Sequence, residues 1–188
     1  MTSLVPGPAT LDDDPAATRE DVLAGIAGAA ALAAGVIHLA VTPHHLVEAP
    51  VLGALFLLVG LGQVALALSF QLALGVRTLV LVVVAHVGVI AVYVTSRTVE
   101  LPFMPPHDAG HDVRHLPVAG GVGNGVPIYP GSRIEQLGVL DLGCLAAELV
   151  LVLAVLALLP ERWRARFSTA LALLAGLAVA LRAATWLA

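Results

Sequence analysis

Five long apolar segments dominate this sequence, at about 22–42, 50–71, 76–96, 136–159 and 167–187. The hydrocarbon core of a bilayer is about 30 Å thick, and a helix needs roughly 20 apolar residues to cross it. Because that core holds no water, the backbone of such a segment satisfies its own hydrogen bonds by forming a helix. The sequence therefore predicts an all-α fold, a five-helix transmembrane bundle with a long irregular extracytoplasmic loop between helices 3 and 4.

The composition supports a membrane protein and excludes several classes of function. Of the 188 residues 59% are hydrophobic and 12% charged, and lysine is absent. No Schiff base or P-loop phosphate contact is therefore available. A single cysteine, Cys144, excludes an intrachain disulfide and a cysteine zinc cluster. A net charge of −4 without a basic run argues against nucleic acid as a partner and leaves the lipid bilayer.

The polar segments predict the organisation of the chain. Residues 1–21 are acidic and contain prolines, which predicts a disordered cytoplasmic tail before a membrane domain over 22–188. Residues 97–135 are too apolar for a free linker, and we expect them to form an outer loop or lid. The turn between spans 4 and 5 carries Arg162, Arg164 and Arg166. Arginine-rich short loops face the cytoplasm, so the N-terminus is predicted inside, and the 97–135 loop and C-terminus outside the plasma membrane.

Counting residues from the ends of the spans assigns the polar groups to two depths. The outer layer, roughly 6 Å deep, contains His38, Tyr93 and Asp141, with Arg97 at the rim. The inner layer, roughly 15–20 Å deep, contains Gln63, His86 and Glu148. Ionisable groups at these depths cost about 2.5–3.5 kcal/mol each on insertion, so they should face each other inside the bundle. The expected pairs are Arg97 with Asp141 or Glu48, and His86 with Glu148.

These intramembrane groups also have a purely structural interpretation. Hydrogen bonds between helices fix packing and contribute only about 0.6 kcal/mol apiece. Cys144, among apolar neighbours, is expected to be an inert thiol.

Histidines and carboxylates gather on the predicted outer side, as zinc or copper sites require. In "HLAVTPHHLVE" one helical turn would bring together His44, His45 and Glu48 above His38. The candidate metal ligands are therefore His38, His44, His45 and Glu48, with Asp141 as an additional candidate. A weaker set in the long loop consists of His107, His111 and His115, which are alternatively solvated or pH-sensing. Haem is not expected, because axial His38 and His86 would differ by roughly 10 Å in depth.

The "H-x5-HH-x2-E" turn, "SRTVELPFMP" and "LGVLDLGCLAAELVLVLAVL" together resemble a group of small multi-pass membrane proteins common in actinobacteria. The resemblance covers roughly residues 22–159. It depends on His38, His45, Glu48, Ser96, Arg97, Thr98, Leu101, Pro102, Phe103, Asp141 and Glu148. This chain departs from the group's usual "GLPFGP" at Glu100 and Met104. The group has no established activity, so the resemblance implies a bacterial plasma-membrane protein and no chemistry.

Three functions remain open. The first is an outward-facing His/Glu/Asp polar pocket that binds a divalent transition metal, such as copper or zinc. The second is a non-catalytic accessory or assembly subunit of a larger membrane complex. The third is a proton or small-solute pathway through His86, Glu148 and Gln63. An enzyme is least favoured, because no nucleophile lies near a base in the sequence and no catalytic residue is evident.

Overall fold

The structure, a computed structural model, describes residues 15–48, 50–96 and 138–187. These residues form five helices and no strand: α1 (Pro15–Glu48), α2 (Pro50–Ser69), α3 (Val76–Ser96), α4 (Val139–Leu158) and α5 (Glu161–Leu187). The predicted all-α class is confirmed. Helices α1 to α4 are long and apolar enough to cross a membrane. Helix α5 covers the fifth predicted span, and its passage through the membrane stays a prediction.

Helix α1 is longer than the sequence predicted at both ends. It begins at Pro15 rather than near residue 22, so the last residues assigned to the tail are helical. It also continues through Pro43 to Glu48, where the sequence predicted a turn. Side-chain hydrogen bonds support the helix around this proline: Thr42 Oγ1 donates to the His38 carbonyl at 2.8 Å, and His45 Nδ1 to the Val41 carbonyl at 2.9 Å. Helix α2 begins at Pro50, two residues after α1 ends at Glu48, and we call this junction the α1–α2 reversal.

Helices α1 and α2 are antiparallel, with their backbones in close contact along a seam of small residues. A Cβ atom added to Gly35 would lie only 3.0 Å from the Gly60 carbonyl oxygen and 3.1 Å from the Gln63 Cβ. Small residues allow this approach, which favours helix association in a bilayer. The seam places Gln63 of α2 directly beside the segment of α1 that carries His38.

Helix α4 packs against α1 and α3 through an apolar core. The most deeply buried members of this core, each with no exposed surface, are Ala27, Ala31, Val83, Leu151 and Val155. All of them come from the half of each helix that lies away from the α1–α2 reversal. The buried polar residues lie between this core and the reversal, and they form the candidate site.

Candidate metal centre

One buried polar side chain from each of the four membrane-length helices contributes to a single layer. The four are His38 on α1, Gln63 on α2, His86 on α3 and Glu148 on α4, and each is at most 7% exposed. Each lies nine to thirteen residues from one end of its helix, the end next to the α1–α2 reversal for α1 and α2 and the end next to residues 97–137 for α3 and α4. We call these four residues the polar layer.

His38, Gln63 and Glu148 form a continuous hydrogen-bonded chain. The Nδ1 atom of His38 lies 3.0 Å from the Ala34 carbonyl oxygen and 2.9 Å from Gln63 Oε1. Because a carbonyl oxygen can only accept, Nδ1 carries the proton and donates it. In the neutral imidazole, Nε2 then keeps a lone pair that is available to a ligand. The amide Nε2 of Gln63 donates in turn to Glu148 Oε1.

The second carboxylate oxygen of Glu148 faces His86. The two closest atoms, Glu148 Oε2 and His86 Nε2, are 3.9 Å apart, so the predicted pairing of these residues is confirmed. The separation is too long for a direct hydrogen bond. The other ring nitrogen of His86, Nδ1, donates to the Val82 carbonyl at 2.8 Å. Buried Oε2 has no hydrogen-bond partner among the residues that the structure describes.

Cys144 joins this layer, so its neighbours are not only the apolar residues that the sequence analysis expected. Its half-buried Sγ lies 3.8 Å from both ring nitrogens of His38. A ring nitrogen of His38, Cys144 Sγ and a carboxylate oxygen of Glu148 all lie within 4.8 Å of one another. Within the described ranges, this is the one group of three or more such residues close enough to share a metal ion.

The sequence contained a partial signal for Cys144. It precedes Glu148 by four residues, so the two share one face of α4. The sequence did not reveal how deep His38 lies, and so did not place it beside Cys144. Because α1 continues past Pro43, His38 lies ten residues from the end of its helix, about 15 Å at the helical rise.

The division of the polar groups into two depths is therefore wrong for His38, which belongs with Gln63, His86 and Glu148. Haem is not expected from the sequence because His38 and His86 would differ by roughly 10 Å in depth, and the two imidazoles do not show that difference. The side chains of Gln63 and Glu148 link them instead.

The two histidines nearest the α1–α2 reversal have different surroundings. The His45 ring packs edge-on against Phe56 with ring centroids 4.6 Å apart, and His44 packs edge-on against His45 at 5.6 Å. Phe56 also contacts His38, at 5.5 Å between centroids. An apolar ring thus lies between His45 and the polar layer. We call His44, His45 and Phe56 the hairpin cluster.

The remaining candidates are accounted for in part. Asp141 Oδ2 accepts the Gly138 backbone N–H at 2.8 Å, which caps the first turn of α4, where a negative charge is also favoured. Tyr93 is half-buried on α3, two turns from His86. The candidates that lie outside the described residues, or whose side chain does, are Glu48, Arg97, His107, His111 and His115.

No protein-family model, curated protein or solved structure matches this chain. The resemblance to the actinobacterial group consequently stays a hypothesis. The function has to be argued from the geometry of the polar layer and Cys144.

Proposed function

We propose that this protein is an integral membrane protein that binds a divalent transition metal, zinc or copper, between His38, Cys144 and Glu148. The observation that carries the proposal is the mutual distance of at most 4.8 Å between the three potential ligand atoms. Three atoms with these mutual distances share a point that lies within about 2.8 Å of each. Zinc is bound at about 2.0–2.3 Å by these atom types, so movements of about 0.5–0.8 Å would complete the contacts.

The chemistry of the ligands supports zinc or copper over the hard cations. Imidazole nitrogen and thiolate sulfur suit zinc and copper, whereas magnesium and calcium favour all-oxygen sites. The hydrogen bond from His38 Nδ1 also leaves Nε2 as the metal-binding nitrogen, in the arrangement usual for metal-bound histidines.

A metal would also offset an electrostatic cost. A carboxylate and a thiolate buried at this depth are expensive to insert into a bilayer. Glu148 is 2% exposed, and only one of its oxygens is hydrogen-bonded within the described part of the chain. A bound cation would neutralise both anionic ligands at once.

The test is the metal content of the protein purified in mild detergent and loaded with zinc or copper. We expect one metal per chain, and its loss in His38→Ala, Cys144→Ser and Glu148→Gln. The matched control is His45→Ala, another histidine of α1 whose Nδ1 also binds a backbone carbonyl. A wild-type protein that stays empty after loading would refute the proposal, as would a Cys144→Ser variant that retains its metal.

The other two functions stay predictions. The chain from His38 through Gln63 and Glu148 to His86 joins four helices at one depth, which suits a closed site better than a pathway across the membrane. A pathway predicts proton or ion flux in liposomes that Glu148→Gln blocks. An accessory subunit predicts a defined protein partner that co-purifies in mild detergent. The orientation in the membrane also stays a prediction.

A further inference from the structure

We infer that His86 is the fourth ligand of this site, which makes it a closed centre of two imidazoles, one thiolate and one carboxylate. The inference rests on the proposed function and deepens it, because four protein ligands leave no coordination position for water or substrate. Such a site is typical of metal that is held rather than used in hydrolysis.

The first argument is the unsatisfied oxygen of Glu148. Gln63 already donates to Oε1, and Oε2 is buried without a hydrogen bond among the described residues. A buried carboxylate oxygen in this state costs free energy unless a donor or a cation reaches it. The ring nitrogen that faces Glu148 Oε2 is His86 Nε2, at 3.9 Å.

The second argument is the orientation of the His86 ring. Its Nδ1 donates to the Val82 carbonyl at 2.8 Å, so Nδ1 carries the proton and Nε2 presents a lone pair toward Glu148. His38 is held in the same way by the Ala34 carbonyl. Both imidazoles are therefore oriented for a metal by their own helix, and both are 7% exposed.

The third argument is the spacing of two ligand pairs that share no residue. Cys144 Sγ lies 3.8 Å from His38 Nε2, and Glu148 Oε2 lies 3.9 Å from His86 Nε2. In a tetrahedral zinc site, ligand atoms of these types are about 3.4–3.6 Å apart. Each pair is thus a few tenths of an ångström wider than two ligands of one zinc ion would be. His86 lies outside the group of three ligand atoms that are within 4.8 Å of one another, so metal binding has to draw its ring toward His38 and Cys144, with Glu148 as the link.

Gln63 has a separate role in this arrangement. It contacts two ligands, His38 and Glu148, and offers no atom that zinc prefers. It is a positioning residue, which orients one ligand through its oxygen and the other through its nitrogen.

X-ray absorption at the zinc edge of the zinc-loaded wild-type protein tests the inference without any variant. We expect two imidazoles and one sulfur around the metal. A single imidazole would overturn the inference while leaving the proposed function in place. A wild-type protein that binds neither zinc nor copper would refute both, so the two failures are distinguishable.

Zinc affinity provides a second test, with His86→Gln compared to His45→Gln in a chelator competition. We expect His86→Gln to weaken binding by more than about 100-fold, beyond the 10–100-fold loss typical of a residue that only orients a ligand. The tetrahedral absorption bands of the cobalt-substituted protein should also weaken in His86→Gln alone. Wild-type affinity together with an unchanged cobalt spectrum in His86→Gln would overturn the inference.

Discussion

The hairpin cluster and the polar layer contain the same type of residue in opposite settings. His44 and His45 are adjacent in the sequence and half-buried, and their rings pack against each other and Phe56. His38 and His86 are 48 positions apart and buried, and they meet a thiol and a carboxylate from a third helix. Under the proposed assignment, single polar residues on separate buried helix faces indicate a metal site better than a run of histidines does.

Substitution of a proposed ligand should change zinc affinity more than any substitution in the hairpin cluster. We expect Cys144→Ser to lower zinc affinity by more than about 100-fold, because the replacement of a thiolate by a hydroxyl removes an anionic ligand. The double variant His44→Ala/His45→Ala should bind zinc as the wild type does. Chelator competition measures both, and a larger loss in the double variant would reverse the assignment of the two regions.

Loss of Gln63 should weaken the site without removing a ligand. Gln63→Leu is similar in size but deletes the contacts to His38 Nδ1 and Glu148 Oε1. We expect zinc affinity to fall by about 10–100-fold, as for other residues that orient ligands. The same titration measures this, with one zinc still bound at saturation. Unchanged affinity would show that the helices alone position the two ligands.

The close packing of α1 against α2 should affect the stability of the bundle that holds the site. Gly35→Leu would drive a side chain into the Gly60 carbonyl and Gln63, whereas the Cβ atom of Gly25→Leu on the same helix has no neighbour within 4 Å. We expect Gly35→Leu alone to cost about 1–3 kcal/mol of stability, as overpacking does. Thermal unfolding in detergent, with and without zinc, compares the pair. Equal melting temperatures for the two variants would contradict the close seam.

The smallest effect is expected in the hairpin cluster itself. His45→Leu removes the hydrogen bond to Val41 and the polar edge of the contact with Phe56. We expect a loss of about 0.5–1.5 kcal/mol, the range for an aromatic pair, and an unchanged zinc affinity. Thermal unfolding and the zinc titration together check this. A loss of metal in this variant would extend the site to the α1–α2 reversal.

The site could be predicted only in part, and one residue explains much of the error. The first span is predicted to end near residue 42, directly before Pro43, and proline usually interrupts a helix. In a membrane the alternative, a lipid-exposed break, is worse. The helix therefore continues, and Thr42 and His45 add side-chain hydrogen bonds to its His38 and Val41 carbonyls. Because the helix continues, His38 lies about two turns deeper than predicted. It is therefore near Glu148 rather than at the hairpin. The pair of His86 and Glu148 was predictable because both lie well inside their spans.

The sequence by itself determined the class of fold and the environment of the protein. Long apolar runs in a bilayer have no alternative to helices, and neither His86 nor Glu148 can lie deep in the membrane without a partner. Only the tertiary structure decided that Cys144 and His38 belong with them. These helices are apolar on nearly all sides, so their sequences carry little information about which face turns inward. The close contact of Gly35 with Gly60, and the packing of α4 against α1, set those rotations and bring the proposed ligands together.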